Sequence, residues 1–179
     1  PAAPKLPSIE QPDLVVEMSE PYLPDSEKSD DYRCFLLDPG LDRERYVTRY
    51  EVVPGDPRVV HHVILYAARD RAAEAMAQEL TDEQPRAGYD CYGGAGVPST
   101  MIAAWAPGTG ATSFPAGTGL PLRAHGQLIM QIHYNMASGS FPDQTAIKLS
   151  LKDQVARPGR MSVFGNNDLS IPPGLSEHV

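Results

Sequence analysis

Three histidines in two apolar stretches are the residues of this chain best suited to metal chemistry. His61 and His62 are adjacent within RVVHHVILYA (residues 58–67), and His133 lies in LIMQIHYN. Imidazole nitrogens without a neighbouring thiolate or carboxylate suit copper, zinc, iron or nickel. Each histidine taken alone is more often an ordinary hydrogen-bonded strand residue than a metal ligand, and only the adjacent pair with the third histidine makes the two alternatives comparable. The pattern by itself therefore leaves a metal site and a structural role both open.

Strand geometry sets a condition on any such site. Successive side chains on a regular strand point to opposite faces, so His61 and His62 would diverge on a flat ladder. Either one of them is a surface residue, or the strand is bulged or twisted there. On the later strand, Gln131 and His133 share one face, while Met130 lies on the opposite, apolar face.

Composition favours an all-β fold that could position these strands. The 179 residues are 41% hydrophobic, which suits one domain with a single core. Eighteen prolines and fifteen glycines interrupt the chain and disfavour long helices. The predicted strands are DYRCFLLD, RYVTRYEVVP, RVVHHVILYA, TMIAAWAP, GQLIMQIHYN, TAIKLSLKD and RMSVFGNNDLSIPP. We predict an antiparallel β-sandwich or jelly roll with one helical excursion over residues 70–83, DRAAEAMAQELTDE.

The remaining segments suggest how the chain is organised and what it does not bind. Residues 1–30 are rich in Pro, Glu, Asp and Ser and predict a leader strand, DLVVEM, followed by a solvated loop. We expect the main domain over residues 31–174 and the start of a truncated second domain at 175–179. The net charge of −8 argues against nucleic acid as a partner, and the lack of eighteen consecutive apolar residues argues against a membrane span.

The chain has two cysteines, Cys34 and Cys91. Paired, they would close a long loop and imply an oxidising compartment; unpaired, they would be two unrelated buried thiols. The spacing alone leaves this open. No CxxC spacing occurs, which disfavours a cysteine-based metal site.

Seven sequence blocks resemble a known family in their order. They are DYRCF, VVHHVILY, YDCYGG, AAWAPG, FPAGTGLPL, LIMQIHYN and SIPPG, and they span roughly residues 30–174. Together they resemble the N-terminal domain of the copper type II, ascorbate-dependent monooxygenases, the family of peptidylglycine α-hydroxylating monooxygenase and dopamine β-monooxygenase. The resemblance implies one copper held by His61, His62 and His133, a local distortion that aims the first two rings together, and a disulfide between Cys34 and Cys91.

The resemblance also implies roles for two further residues. Gln131 matches a family residue proposed to lie on the route from metal to substrate, with a hydrogen-bonding role near the metal as the alternative. Tyr32 matches a tyrosine close to this copper, with simple strand packing as the alternative. His125 and His178 match no family ligand. Met136 follows His133 closely enough to approach the metal, although packing is the commoner role of such a methionine.

Three functions follow as hypotheses. The first is the electron-transfer domain of a secreted or periplasmic monooxygenase that hydroxylates an aliphatic C–H bond of a small molecule or peptide. It would use O2 and ascorbate or another reductant, with a second copper in a second catalytic domain of the same parent protein. The second is a stand-alone copper carrier or store. The third, a three-histidine zinc hydrolase, is disfavoured because the strands offer no obvious general base.

Overall fold

The structure, a computed structural model, describes residues 6–164 and 173–174 and consists of two packed β-sheets with one helix. The predicted all-β class and sandwich architecture are confirmed. The elements are β1 (Leu14–Glu17), β2 (Asp30–Leu37), β3 (Arg45–Val53), β4 (Val60–Ala68), α1 (Arg71–Asp82), β5 (Tyr89–Asp90), β6 (Ser99–Trp105), β7 (Thr112–Ser113), β8 (Thr118–Leu122), β9 (Leu128–Asn135), β10 (Ala146–Lys152) and β11 (Arg157–Pro158).

The first sheet has the strand order β1-β10-β3-β8-β11, and β7 pairs with β3. Its strand β10 alternates between core and surface: Ile147, Leu149 and Leu151 are buried, while the residues between them are partly exposed. This period of two is expected for a sheet with one face on the core and one toward water. β1, which lies in the predicted leader, pairs antiparallel with β10 and is thus an edge strand of this sheet.

The second sheet, with the order β5-β2-β9-β4-β6, carries the histidines. Its central strand β9 is buried over residues 128–134, because both of its faces are covered. Met130 and Ile132 pack between the sheets, as predicted for the apolar face. Ile129, Gln131 and His133 belong to the opposite, outer face, where Ile129 packs in a separate cluster.

Helix α1 covers part of that outer face. The side chain of Asp70 caps it by accepting a 2.9 Å hydrogen bond from the backbone N–H of Ala73. Ala73 and Ala77 are buried and share the outer cluster with Ile129. The helix lies within the predicted residues 70–83. Among the described residues, no helix has the length and apolarity needed to cross a lipid bilayer.

The strand prediction missed four short strands and included one segment that forms no strand in the described residues. β5, β7 and β11 are two residues long, too short to show a periodicity, and β8 contains Gly119 and Pro121, which weaken any strand signal. The predicted strand at 160–173 is wrong over residues 160–164, which form no regular element. There the adjacent Val163 and Phe164 are 75% and 94% exposed, so no sheet buries these apolar side chains. Residues 165–172 and 175–179 lie outside the described part of the chain.

Cys34 of β2 and Cys91, which follows β5, form a disulfide with a Cα–Cα distance of 5.8 Å. The bond joins two residues separated by 57 positions, and both sulfurs are buried in the outer cluster. The pairing implied by the family resemblance is therefore present in the structure.

Replacing both cysteines, Cys34→Ser with Cys91→Ser, is expected to destabilise the protein by about 4 kcal/mol, because the unfolded chain regains the entropy of a 57-residue loop. For a chain of this size the melting temperature should fall by roughly 10 °C. Thermal unfolding of the double variant, beside the wild type with and without a thiol reductant, measures the effect. Equal melting temperatures in all three samples would contradict it.

Candidate metal centre

A β-bulge in β4 brings the two adjacent histidines to the same side of the sheet. Val60 pairs with Tyr134 and His62 pairs with His133, so His61 is an extra residue with no partner of its own on β9. Such a bulge breaks the alternation of side chains and re-aims those beside it. The predicted distortion at His61–His62 is confirmed.

The three imidazoles form a compact cluster. The Nδ1 atom of His62 lies 3.4 Å from Nδ1 of His61 and 3.2 Å from Nδ1 of His133. One ring nitrogen from each histidine lies within 4.8 Å of the other two. Two nitrogens bound to one ion at about 2 Å would be separated by roughly the shorter of these distances. The geometry therefore fits a single metal ion with three nitrogen ligands.

Asp30 orients the most buried of the three rings. Its Oδ1 lies 2.7 Å from Nε2 of His133 and accepts a 2.9 Å hydrogen bond from the side chain of Asn135. Hydrogen bonds from Asn135, His133 and Ser29 lower the pKa of Asp30 to about 2, so the carboxylate is ionised at neutral pH. A carboxylate at Nε2 keeps the proton on that nitrogen and leaves Nδ1 with a free lone pair toward the cluster.

The lowered pKa of His62 also suits a metal ligand. Burial lowers its pKa, and the neighbouring rings of His133 and His61 lower it further. A metal ligand must be the neutral imidazole, so a lowered pKa reduces the competition from protons. His61 is exposed and His133 is 7% exposed, so the cluster extends from the sheet to the surface.

Tyr32 packs directly on a cluster histidine. Its ring stacks on His133 with a centroid distance of 4.2 Å and an interplanar angle of 4°, as expected for residues paired across β2 and β9. Burial, together with Tyr92 and Asp30, raises the pKa of Tyr32, so the phenol stays neutral. Both ideas about Tyr32 thus agree with its position, because it is a packed strand residue and lies beside the cluster.

Gln131 contacts the disulfide loop. Its Nε2 donates to the backbone carbonyls of Cys91 and Gly94, the latter at 2.9 Å. Among the hydrogen bonds of the described residues, none joins Gln131 to a cluster histidine. Gln131 still shares the outer face with His133 and lines the same cavity as Tyr32 and His62. Its place on an electron route stays a prediction.

His125, Met136 and Met130 have other surroundings in the fold. His125 is exposed, adopts a left-handed backbone with φ of 51°, and is outside the cluster. Met136 packs against the core between the sheets, in agreement with the packing role, and Met130 is fully buried there. His178 lies outside the described residues.

Asp30 was not among the residues singled out from the sequence. The signal that could have identified it is the pairing of β2 with β9, which places Asp30 opposite Asn135 and Tyr32 opposite His133. That pairing joins segments about a hundred residues apart, and spacing in the sequence does not reveal it.

Comparison with known proteins gives two findings. The family described as "Copper type II ascorbate-dependent monooxygenase, N-terminal domain" matches residues 14–140. Tyramine beta-hydroxylase from Caenorhabditis briggsae is 29% identical over 112 residues, which cover 58% of this chain. The match spans 18% of that relative, so the chain corresponds to a small part of its length.

Proposed function

Since this chain belongs to the copper type II, ascorbate-dependent monooxygenases, as their N-terminal domain, we propose that it holds one copper ion and transfers electrons within a larger hydroxylase. The ligands are His61, His62 and His133. The observation that supports this best is the convergence of their three Nδ1 atoms on one point at the bulge. Each of these nitrogens can present a lone pair there.

The donor set suits copper. Three neutral imidazoles with open coordination positions are compatible with both Cu(I) and Cu(II), and a bound copper ion supplies one-electron chemistry. Zinc is also bound by three histidines, but a zinc hydrolase needs a general base near the bound water. Asp30, the carboxylate nearest the cluster, already accepts hydrogen bonds from His133 and Asn135. Its engagement supports a role in orienting the ligand rather than in proton abstraction.

The chain's own residues position the ligands. Asp30 retains the proton at Nε2 of His133, and the Tyr32 ring shields one face of the same imidazole from water. His62 is held by β4, where it is paired with His133 of the neighbouring strand β9. A site built this way on three paired strands would hold the three imidazoles in place around a copper ion, which would supply one-electron chemistry.

The reaction of the parent protein follows from the family. We infer hydroxylation of an aliphatic C–H bond with O2 and ascorbate as the reductant, on a small molecule or peptide, with a second copper in a downstream catalytic domain. Tyramine beta-hydroxylase, by its name, acts on a phenethylamine, which makes this substrate class the first to test. The disulfide supports an oxidising location, secreted or periplasmic.

Titration of the metal-free chain with Cu(II) is expected to reach an endpoint at one equivalent per chain. Anaerobic ascorbate should then remove the electron paramagnetic resonance (EPR) signal of Cu(II), and a mild oxidant should restore it. An endpoint near zero, or copper that ascorbate does not reduce, would contradict the proposal. Zinc binding without copper binding would favour the hydrolase alternative.

Replacing Asp30 by alanine is expected to weaken copper binding by about 10- to 100-fold, the usual cost of losing a group that orients a metal-bound histidine. Asp30→Asn, which retains a hydrogen-bond acceptor but not the charge, should lie between alanine and the wild type. Competition with a copper chelator measures the three affinities. Asp42→Ala removes an exposed carboxylate and serves as the control. If Asp30→Ala bound copper as tightly as Asp42→Ala, the orienting role would be wrong.

A further inference from the structure

A cavity of about 1080 Å³ opens beside the histidine cluster. His62, Tyr32 and Gln131 form its floor on the outer face of the second sheet, and Tyr92 and Arg160 belong to its walls. No described residue that lines it is a carboxylate, and Arg160 is its one cationic lining residue within the described chain. In a protein of net charge −8, this cavity is a place that an anion can approach without meeting an acidic side chain.

Aromatic contacts connect the cavity to His133, one of the proposed copper ligands. Tyr92 is 84% exposed, and its ring meets the Tyr32 ring edge-on at a centroid distance of 4.9 Å. Tyr32 in turn stacks on His133. A molecule bound against Tyr92 and Tyr32 would therefore be separated from His133 by one aromatic ring, while His62, a second proposed copper ligand, itself lines the cavity.

The wall of the cavity is held in place before any ligand binds. The loop after β5 is tied to the sheet by the disulfide and by Gln131, which donates to the carbonyls of Cys91 and Gly94. The hydroxyl of Tyr89 donates to the carbonyl of Ala95 at 2.6 Å. A wall held by the disulfide and by these hydrogen bonds is typical of preformed small-molecule sites.

We propose that this cavity is the docking site of the acidic enediol reductant, ascorbate in its monoanionic form. The proposal rests on the proposed function, because it assigns the source of electrons for the copper at the three histidines. Arg160 supplies the positive charge, the hydroxyls of Ser99 and Thr100 supply hydrogen bonds to a polyhydroxylated ligand, and Tyr92 supplies an apolar edge for its ring.

The electron transfer is balanced. The docked enediol monoanion loses one electron and its remaining enediol proton and becomes the radical anion. The electron would reduce a Cu(II) ion held by His61, His62 and His133 to Cu(I), and the proton would pass to water. The short contact through Tyr32 to His133 provides a packed path between the two partners.

The test measures ascorbate binding separately from electron transfer. Under anaerobic conditions, saturation-transfer NMR of ascorbate with the metal-free chain should give saturable binding. Arg160→Gln should raise the dissociation constant roughly tenfold, because a charge-assisted contact is lost. Tyr92→Leu should raise it roughly fivefold. Arg71→Gln, which removes an exposed arginine that does not line the cavity, should leave it unchanged.

A second arm follows the loss of the Cu(II) EPR signal in the copper-loaded protein. The wild-type rate should saturate with ascorbate, whereas Arg160→Gln should be slower with ascorbate and no slower with cationic hexaammineruthenium(II). Binding that is not saturable in the wild type, or equal dissociation constants in all four proteins, would overturn the docking site. Saturable, Arg160-dependent ascorbate binding in a chain that takes up no copper would support the docking site and refute the proposed function.

Discussion

Replacing His133 by alanine is expected to eliminate stoichiometric copper binding. The side chain is 7% exposed, provides one of the three converging nitrogens, and connects the cluster to Asp30 and Tyr32. Its loss leaves two ligands, one of them on the exposed His61, and removes the ring that Asp30 orients. The copper affinity should fall by more than the roughly 100-fold that outer groups cost. His62→Ala should have a similar effect, because its Nδ1 lies 3.4 Å from Nδ1 of His61 and 3.2 Å from Nδ1 of His133.

Copper content after dialysis against a weak chelator, normalised to folded protein by circular dichroism, measures this effect. His125→Asn is the matched control, because His125 lies outside the cluster and asparagine tolerates its left-handed backbone. Full copper retention in both His62→Ala and His133→Ala would show that the ion binds elsewhere.

This chain alone should bind copper and allow its reduction and reoxidation, but it should not catalyse hydroxylation. Within the described residues one cluster of three or more metal-binding side chains is present, and it provides a single site. The family reaction needs two electrons for O2 and, as we propose, a second copper in the downstream domain. With ascorbate, O2 and copper, neither tyramine nor a glycine-extended peptide should give a hydroxylated product above the metal-only background.

Mass spectrometry of the reaction mixtures checks this expectation. Addition of the proposed downstream copper domain should restore product formation coupled to O2 uptake, and His133→Ala in that combination should abolish it. Catalytic turnover by the isolated chain would show that one copper suffices and that the division of labour between the domains is wrong.

Much of the fold was predictable because burial follows strand periodicity. The alternation in LIMQIHYN placed Met130 in the core and His133 on the other face, as the structure shows. The same rule failed at residues 160–164, where an alternating pattern forms no strand within the described chain. Periodicity indicates which face a strand could bury, but not whether a neighbouring strand is available to pair with it.

The members of the candidate site and the bulge between its adjacent histidines were predictable, but the contacts around them were not. The sequence pattern and the family resemblance identified His61, His62 and His133, and the bulge could be expected because both adjacent rings had to face one ion. The contacts of Asp30 and Tyr92 arise from pairing and loop placement between distant segments. These depend on tertiary packing, which local patterns do not specify.

Counting the imidazoles on bound copper tests the central claim most directly. X-ray absorption of the Cu(I) form, with pulsed EPR of the Cu(II) form, reports the number of histidine nitrogens per ion. We predict three per copper at one copper per chain, and two per copper in His61→Ala loaded with excess copper. A wild-type count of two or fewer, or a count unchanged by His61→Ala, would contradict the three-histidine site.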